Sequence, residues 1–93
     1  MANRRNLKKD IHFLFQHILD ECYTFIEYSP SIFHQSAVEI IYESNQVKEE
    51  LLKRVNHPPH NGDVQAVKEH YKKIIEDMYK KNMELIEKLN ELH

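Results

Sequence analysis

Apolar and polar residues alternate with a helical period along most of the chain, and the pattern is clearest between Asp63 and Leu92. Projected at 100° per residue, the apolar residues of this stretch fall within one arc of roughly 140°. They are Val64, Val67, Tyr71, Ile74, Ile75, Met78, Leu85, Ile86, Leu89 and Leu92. Lys, Glu and Asp occupy the opposite face. The pattern predicts one long amphipathic helix over residues 63–92.

Acidic residues precede lysines by four positions along the polar face of this helix. Each such pair stabilises a helix by about 0.2–0.5 kcal/mol. The pairs are Glu69/Lys73, Glu76/Lys80, Asp77/Lys81 and Glu84/Lys88. We therefore expect ion pairs within this helix and an apolar stripe that packs against the rest of the chain.

A second amphipathic stripe lies at the start of the chain. It runs from Leu7 to Phe25 at i, i+4, i+7 spacing and predicts a helix over about residues 6–28. Asn3 or Asn6 is the expected N-cap, because a short polar side chain there satisfies free backbone N–H groups.

A third stripe predicts a helix over about residues 31–56. Pro30 interrupts the first helix, and Ser29 is the expected N-cap of the next one. The run 57–59, His-Pro-Pro, ends it, and Asp63 is the expected cap of the last helix. Three long helices joined by short loops predict an all-α, up-down-up bundle that forms a single domain over residues 1–93.

Composition fits such a domain. Hydrophobic residues make up 41% and charged residues 30%, while one Gly and three Pro leave few places for the turns that strands require. The only cysteine, Cys22, excludes an intramolecular disulfide. Neither a signal peptide nor an apolar run of about 20 residues is evident, so a cytoplasmic protein without a membrane span is expected.

Four aromatic residues lie off the apolar stripes or at their edges. They are Phe13, Tyr23, Tyr28 and Tyr42. Exposed aromatic side chains are enriched at protein interfaces, so they favour a protein partner or a homodimer. The alternative is that the three helices bury wider arcs than the stripes suggest.

A basic cluster opens the chain. Its residues are Arg4, Arg5, Lys8 and Lys9. Cations at a helix N-terminus oppose the helix dipole, which makes contact with the phosphates of nucleic acid the alternative function. However, residues 1–10 carry a net charge of +3, residues 11–50 carry −6 and residues 51–93 carry +1, which is unlike the basic domain of a dedicated nucleic-acid binder. A solvated chain end explains the cluster as well.

The candidate metal ligands are His57, His60 and Asp63, because a His-x-x-His pair beside an acid suits zinc or nickel. A structural zinc site normally takes four ligands, and no fourth is within obvious reach. Surface histidines are therefore the favoured interpretation, and no metal or cofactor is expected. His12, His17, His34 and His70 are expected on the flanks or outer faces of their helices, where they are solvated.

No catalytic constellation is evident. Cys22 lies within an apolar stripe, where a thiol is inert, and no glycine-rich loop is present to bind phosphate. Neighbouring carboxylates lie among lysines on polar faces. We expect neither an enzyme nor a small-molecule substrate.

Two polar residues, Asn82 and Ser44, interrupt the apolar stripes. Counting along the predicted helices puts Asn82 level with Cys22. Asn82 is expected either to fix the register, like a buried coiled-coil Asn, or to bind one polar partner. Ser44 is expected to bind a carbonyl of its own helix, and a polar pocket inside the bundle is the alternative for both residues.

Two short runs resemble a group of small bacterial helical proteins. They are Met-Ala-Asn-Arg-Arg-x-Leu-Lys-Lys-x-Ile at the start and Val67-Lys68-x-x-Tyr71-Lys72-Lys73-Ile74. The resemblance implies an all-helical fold and no assigned activity, so it identifies no functional residues.

Overall fold

A computed structural model describes residues 4–59 and 63–92, which form three long helices and no strand. The elements are α1 at Arg4–Tyr28, a 3₁₀ turn at Ser31–Phe33, α2 at His34–Asn56 and α3 at Val64–Glu91. The extents of the bundle are 53 × 18 × 17 Å, as expected for rods packed side by side. The predicted all-α fold with three helices is confirmed.

The ends of the helices fix their directions. Arg4 Nε, at the start of α1, donates a hydrogen bond to the hydroxyl of Tyr71, near the start of α3. The same hydroxyl donates to the carbonyl oxygen of Val55, near the end of α2. The starts of α1 and α3 therefore lie at the same end of the bundle as the end of α2.

The apolar stripes meet along the axis of the bundle. In this core, twelve side chains are almost completely buried, and they come from all three helices. They are Leu7, Ile11, Phe15, Ile18, Cys22, Ile40, Leu51, Val55, Ile74, Met78, Leu85 and Leu89. Burial of such side chains contributes roughly 1.5–3 kcal/mol each relative to exposure, so this core is the main source of stability.

The connection between α1 and α2 differs from the prediction. Pro30, rather than Ser29, precedes the 3₁₀ turn, and no side chain caps it. The Phe33 N–H donates to the carbonyl oxygen of Pro30 at 3.1 Å, and His34 Nε2 binds the carbonyl oxygen of Ser29 at 2.9 Å. The prediction of Ser29 as N-cap is wrong, because the chain enters α2 through this 3₁₀ turn, which has no side-chain cap.

The other predicted caps have separate outcomes. Asp63 caps α3, since its Oδ1 accepts a hydrogen bond from the backbone N–H of Gln65 at 2.9 Å. Asn6 lies inside α1 rather than before it, so it is not the N-cap. Asn3 lies outside the described residues.

Candidate interaction surface

Two ion pairs between helices show the register of α2 against α3. Arg54 Nη1 lies 2.9 Å from Asp77 Oδ2, and Lys88 Nζ lies 2.7 Å from Glu43 Oε2. As the residue numbers rise along α3 they fall along α2, as antiparallel helices require. The point midway between the two pairs lies near residue 48 on α2 and near Asn82 on α3.

The four ion pairs predicted within α3 are absent from the described residues. Asp77 binds Arg54 of α2 and approaches Lys73, which lies before it, at 3.9 Å. Lys88 binds Glu43 of α2. For the pairs that involve Asp77 and Lys88, the prediction is wrong because these side chains lie close enough to α2 to pair with it instead. Glu69 accepts a hydrogen bond from Gln65 of the same helix. Lys81 pairs with Glu84, three positions away, at 3.5 Å.

Asn82 is buried, with 8% of its surface exposed, and it faces α1. Its Nδ2 donates to the carbonyl oxygen of Leu14 at 3.4 Å. The predicted level with Cys22 is wrong by about two helical turns. Tyr71, seven residues after the start of α3 at Val64, contacts Arg4 at the start of α1, so α3 is shifted along the bundle relative to α1.

Ser44 is completely buried on α2. Its Oγ has no hydrogen-bond partner among the described residues, so the expected bond to a carbonyl of its own helix is wrong. A small residue at this position allows α2 to pack closely. Burying its hydroxyl group without a hydrogen bond costs about 1–3 kcal/mol of stability. Ser44 and Asn82 lie in the core, but no described contact joins them into one polar pocket.

Two histidines assigned to solvated faces instead bind the ends of helices. His70 is half-buried, and its Nε2 binds the carbonyl oxygen of Arg54 at 2.7 Å, in the last turn of α2. His34 binds Ser29 in the same way after the end of α1. Helix ends leave carbonyl groups without partners in the helix, and an imidazole N–H satisfies them. The solvated prediction for both histidines is wrong for this reason.

The candidate metal ligands have other roles where they are described. His57 Nδ1 lies 2.7 Å from the carbonyl oxygen of Lys53, to which it donates, and Asp63 caps α3. His60 lies outside the described residues. Residues 4–59 and 63–92 contain no group of three or more potential ligands close enough to hold a metal ion.

The basic cluster lies at the end of the bundle where α1 begins. Arg5 and Lys9 are exposed, Lys8 is half-buried, and Arg4 is held against Tyr71 of α3 by its hydrogen bond. One of the four cations is therefore anchored to the bundle, while the other three project from the first turns of α1.

Cys22 is buried in the core. Burial, together with the neighbouring Glu21 carboxylate, raises the pKa of its thiol from 9.0 to about 11. A thiol with so high a pKa is protonated at neutral pH and is a poor nucleophile.

The bundle has ends of opposite charge. We define the acidic half as residues 15–48 and 83–92, and the basic half as residues 4–13, 49–59 and 63–81, so that Leu14 and Asn82 mark the boundary. The acidic half has eight acidic and two basic residues, a net charge of −6. The basic half has eleven basic and seven acidic residues, a net charge of +4. The parallel course of α1 and α3 produces this separation.

The four aromatics predicted to form an interface are all exposed, but they do not form one cluster. Phe13 lies close to the boundary between the two halves, whereas Tyr23, Tyr28 and Tyr42 lie in the acidic half. Tyr28 ends α1 and is followed by exposed Ile32 and Phe33 in the 3₁₀ turn. We call Tyr28, Ile32 and Phe33 the tip.

Two large apolar residues of α3 that the sequence interpretation missed, Tyr79 and Met83, are exposed at about the level of Phe13 along the bundle. Asp77 faces α2 and Met78 is buried, so the next residue, Tyr79, is turned another 100° toward α1 and solvent. Asn82 faces α1, so the next residue, Met83, is turned 100° further, from the α1 side toward solvent. On α1, Phe15 is buried and Leu14 lies beside Asn82, so Phe13 projects outward on the α3 side.

These three side chains form what we call the central patch. Phe13, Tyr79 and Met83 are 75%, 55% and 62% exposed. Because Asn82 reaches Leu14, Phe13 is level with residue 81, midway between Tyr79 and Met83. The sequence analysis selected Phe13 because it is an apolar residue outside the apolar stripe of its helix. The same criterion, applied to α3, identifies Tyr79 and Met83.

Comparisons with known proteins do not extend this description: no protein family matches the chain, and neither a curated protein nor a solved structure is significantly similar to it. Within the described residues, the helices contain no apolar stretch long enough to cross a membrane.

Proposed function

We propose that this protein is a non-enzymatic interaction module that binds another protein or itself through apolar side chains on the outside of its helices. The observation that carries the proposal is the high exposure of large apolar residues in the central patch and at the tip. Tyr28 and Ile32 are each 80% exposed, although the bundle has a separate and well-filled core. Grouped apolar side chains on a surface are typical of binding sites.

The shape of the bundle supports this proposal. Helices hold the central patch at fixed spacing, so little conformational entropy is lost there when a partner binds. Tyrosine, phenylalanine and methionine are also the side chains that interface cores favour. The proposal takes the cytoplasm as the setting, in keeping with a single buried thiol, Cys22.

Several groups of the kind that carry out catalysis have structural roles in this bundle, in keeping with a non-enzymatic module. Cys22 is buried and protonated, and three of the five described histidines, His34, His57 and His70, each bind a backbone carbonyl. Each of these groups therefore already has a structural role.

Affinity capture from a lysate of the native host, with nuclease, tests the proposal. The wild-type chain is compared with two variants, Phe13→Asp in the central patch and Ile32→Asp at the tip. We expect a discrete protein, or a second copy of the chain, to be retained by the wild type and lost with at least one variant. Gln46→Asp, on an exposed polar position of α2, is the control that should retain it. Equal retention by all four chains would contradict the proposal.

Contact with nucleic-acid phosphates is the second candidate function, and the net charge of +4 on the basic half favours it. Seven acidic residues are interspersed there, which weakens the field that a phosphate would meet. If this function holds, binding of a DNA or RNA duplex should weaken steeply as salt rises. Replacing Arg5, Lys8 and Lys9 by Gln should abolish it, and a variant that binds as well as the wild type would exclude it.

A further inference from the structure

We propose that the central patch is the centre of an antiparallel homodimer, in which the α1–α3 face of one chain packs against the same face of a second copy. This inference rests on the proposed function, since it names the partner. Three observations carry it: the position of the central patch, the opposite charges of the two halves, and the area of the face.

The central patch is self-complementary when two chains run in opposite directions. A two-fold axis at the level of Phe13 brings the two Phe13 side chains together. Because Phe13 is level with residue 81, the same axis places Tyr79 opposite the partner's Met83, and Met83 opposite the partner's Tyr79. Contact between a methionine sulfur and an aromatic ring is favourable, so both outer positions gain a matched neighbour.

The charges select the antiparallel arrangement. With the axis at the middle of the bundle, the acidic half of each chain, at −6, lies beside the basic half of the other, at +4. A parallel dimer would place −6 beside −6 and +4 beside +4. Complementary potentials accelerate association and like charges oppose it, so orientation follows from the charge separation.

The area of the face is sufficient for a stable dimer. A side of 53 by 17 Å projects to roughly 900 Å², comparable to the approximately 800 Å² per partner of a standard interface. An end of 18 by 17 Å projects to roughly 300 Å², so end-to-end contact through the tip falls far short. The second copy therefore fits the side of the bundle.

Sedimentation equilibrium over a range of concentrations tests the interface with the full chain. We expect the wild type to approach twice the chain mass of 11.3 kDa. Phe13→Asp and Met83→Asp should each raise the dissociation constant at least about 30-fold, the effect of losing a hot-spot residue. Ile32→Asp, at the tip, and Gln46→Asp, on an exposed position of α2, are the controls and should dimerise like the wild type. Far-ultraviolet circular dichroism establishes that all four variants stay helical.

Disulfide trapping tests the orientation. An axis at residue 81 places Lys72 opposite the partner's Asn90, and both residues are exposed. Mixing Lys72→Cys with Asn90→Cys chains under oxidation should give the mixed disulfide dimer in preference to either self-linked dimer. Preferential self-linking of each variant would show a parallel dimer and overturn the proposal. The wild-type chain is the control, because buried Cys22 should not cross-link.

Failure of the dimer is distinguishable from failure of the proposed function. A chain that sediments as a monomer at every concentration overturns this inference, while capture of a different protein through Phe13 would leave the interaction module in place. A dimer that is lost in Ile32→Asp and kept in Phe13→Asp also overturns it. So does a mass increase that nuclease removes, which would instead indicate nucleic-acid binding.

Discussion

The side chain of Asn82 donates a hydrogen bond to the backbone carbonyl of Leu14, 68 residues away, at 3.4 Å. This bond joins α3 to α1 near the centre of the bundle, between side chains that are otherwise apolar. The carbonyl of Leu14 lies inside α1, where it can also accept the helical hydrogen bond, so Asn82 gains one long bond and loses its hydration.

Asn82→Leu should raise the free energy of unfolding by about 1 kcal/mol, because it replaces a weakly bound polar side chain with an apolar one in an apolar site. For a chain of this size, that corresponds to a melting temperature higher by about 4–8 °C. Thermal unfolding followed by circular dichroism measures the change. If Asn82 also fixes the register, the variant should show an altered oligomeric state by sedimentation. Marked destabilisation with an unchanged mass would instead show that the Leu14 bond is essential.

Ser44→Ala should also stabilise the protein, by about 1 kcal/mol, because it removes a buried hydroxyl that has no partner among the described residues. Urea unfolding of both chains measures the difference. Alanine is also the better helix former, so Thr24→Ala, at an exposed position of α1, is the control for that contribution. A gain no larger than that of Thr24→Ala would show that the Ser44 hydroxyl is satisfied.

The Arg54–Asp77 ion pair should be worth about 0.5–1 kcal/mol, since both side chains are a little under one-third exposed and the N–O distance is 2.9 Å. A double-mutant cycle with Arg54→Met and Asp77→Asn, analysed by urea unfolding, measures the coupling energy. The coupling should fall when salt is added, because exposed portions of the pair are screened. A coupling near zero at low salt would contradict this prediction.

Cys22 should make the stability pH-dependent in alkaline solution. Its thiol has a pKa of about 11 in the folded chain against 9.0 ordinarily, so the unfolded chain releases the proton first. The associated stability is complete below pH 9 and is lost as the pH rises from 9 to about 11. The measurement is the difference in urea unfolding between the wild type and Cys22→Ala, which cancels the pH dependence that the two chains share. The wild type should lose more stability over this range, and parallel curves would contradict the prediction.

Local signals predicted most of the helical structure. As the prolines predicted, α1 ends before Pro30 and α2 ends before residues 57–59. Asp63 caps α3 as expected. Two local inferences were wrong for different reasons. Ser29 is not the cap because a 3₁₀ turn after Pro30 leads into α2. The ion pairs expected for Asp77 and Lys88 within α3 are replaced by pairs with Arg54 and Glu43 of α2, which sequence spacing does not show.

The candidate surface was predictable only in part. Phe13 was visible because it departs from a helical stripe, and exposure agrees with that departure. Its grouping with Tyr79 and Met83 depends on how far α3 is shifted along α1, which the Asn82–Leu14 bond reveals. A count through two loops missed this shift by about two turns.

By itself, the sequence determined three amphipathic helices, their approximate ends and their antiparallel order, because periodicity and prolines act over a few residues. Tertiary structure alone decided the axial register, the pairing of Arg54 with Asp77, the separation of charge into two halves and the central patch. These features depend on side-chain packing between segments far apart in the chain. A shift of one turn, about 5 Å, changes every such neighbour and leaves the helical pattern unaltered.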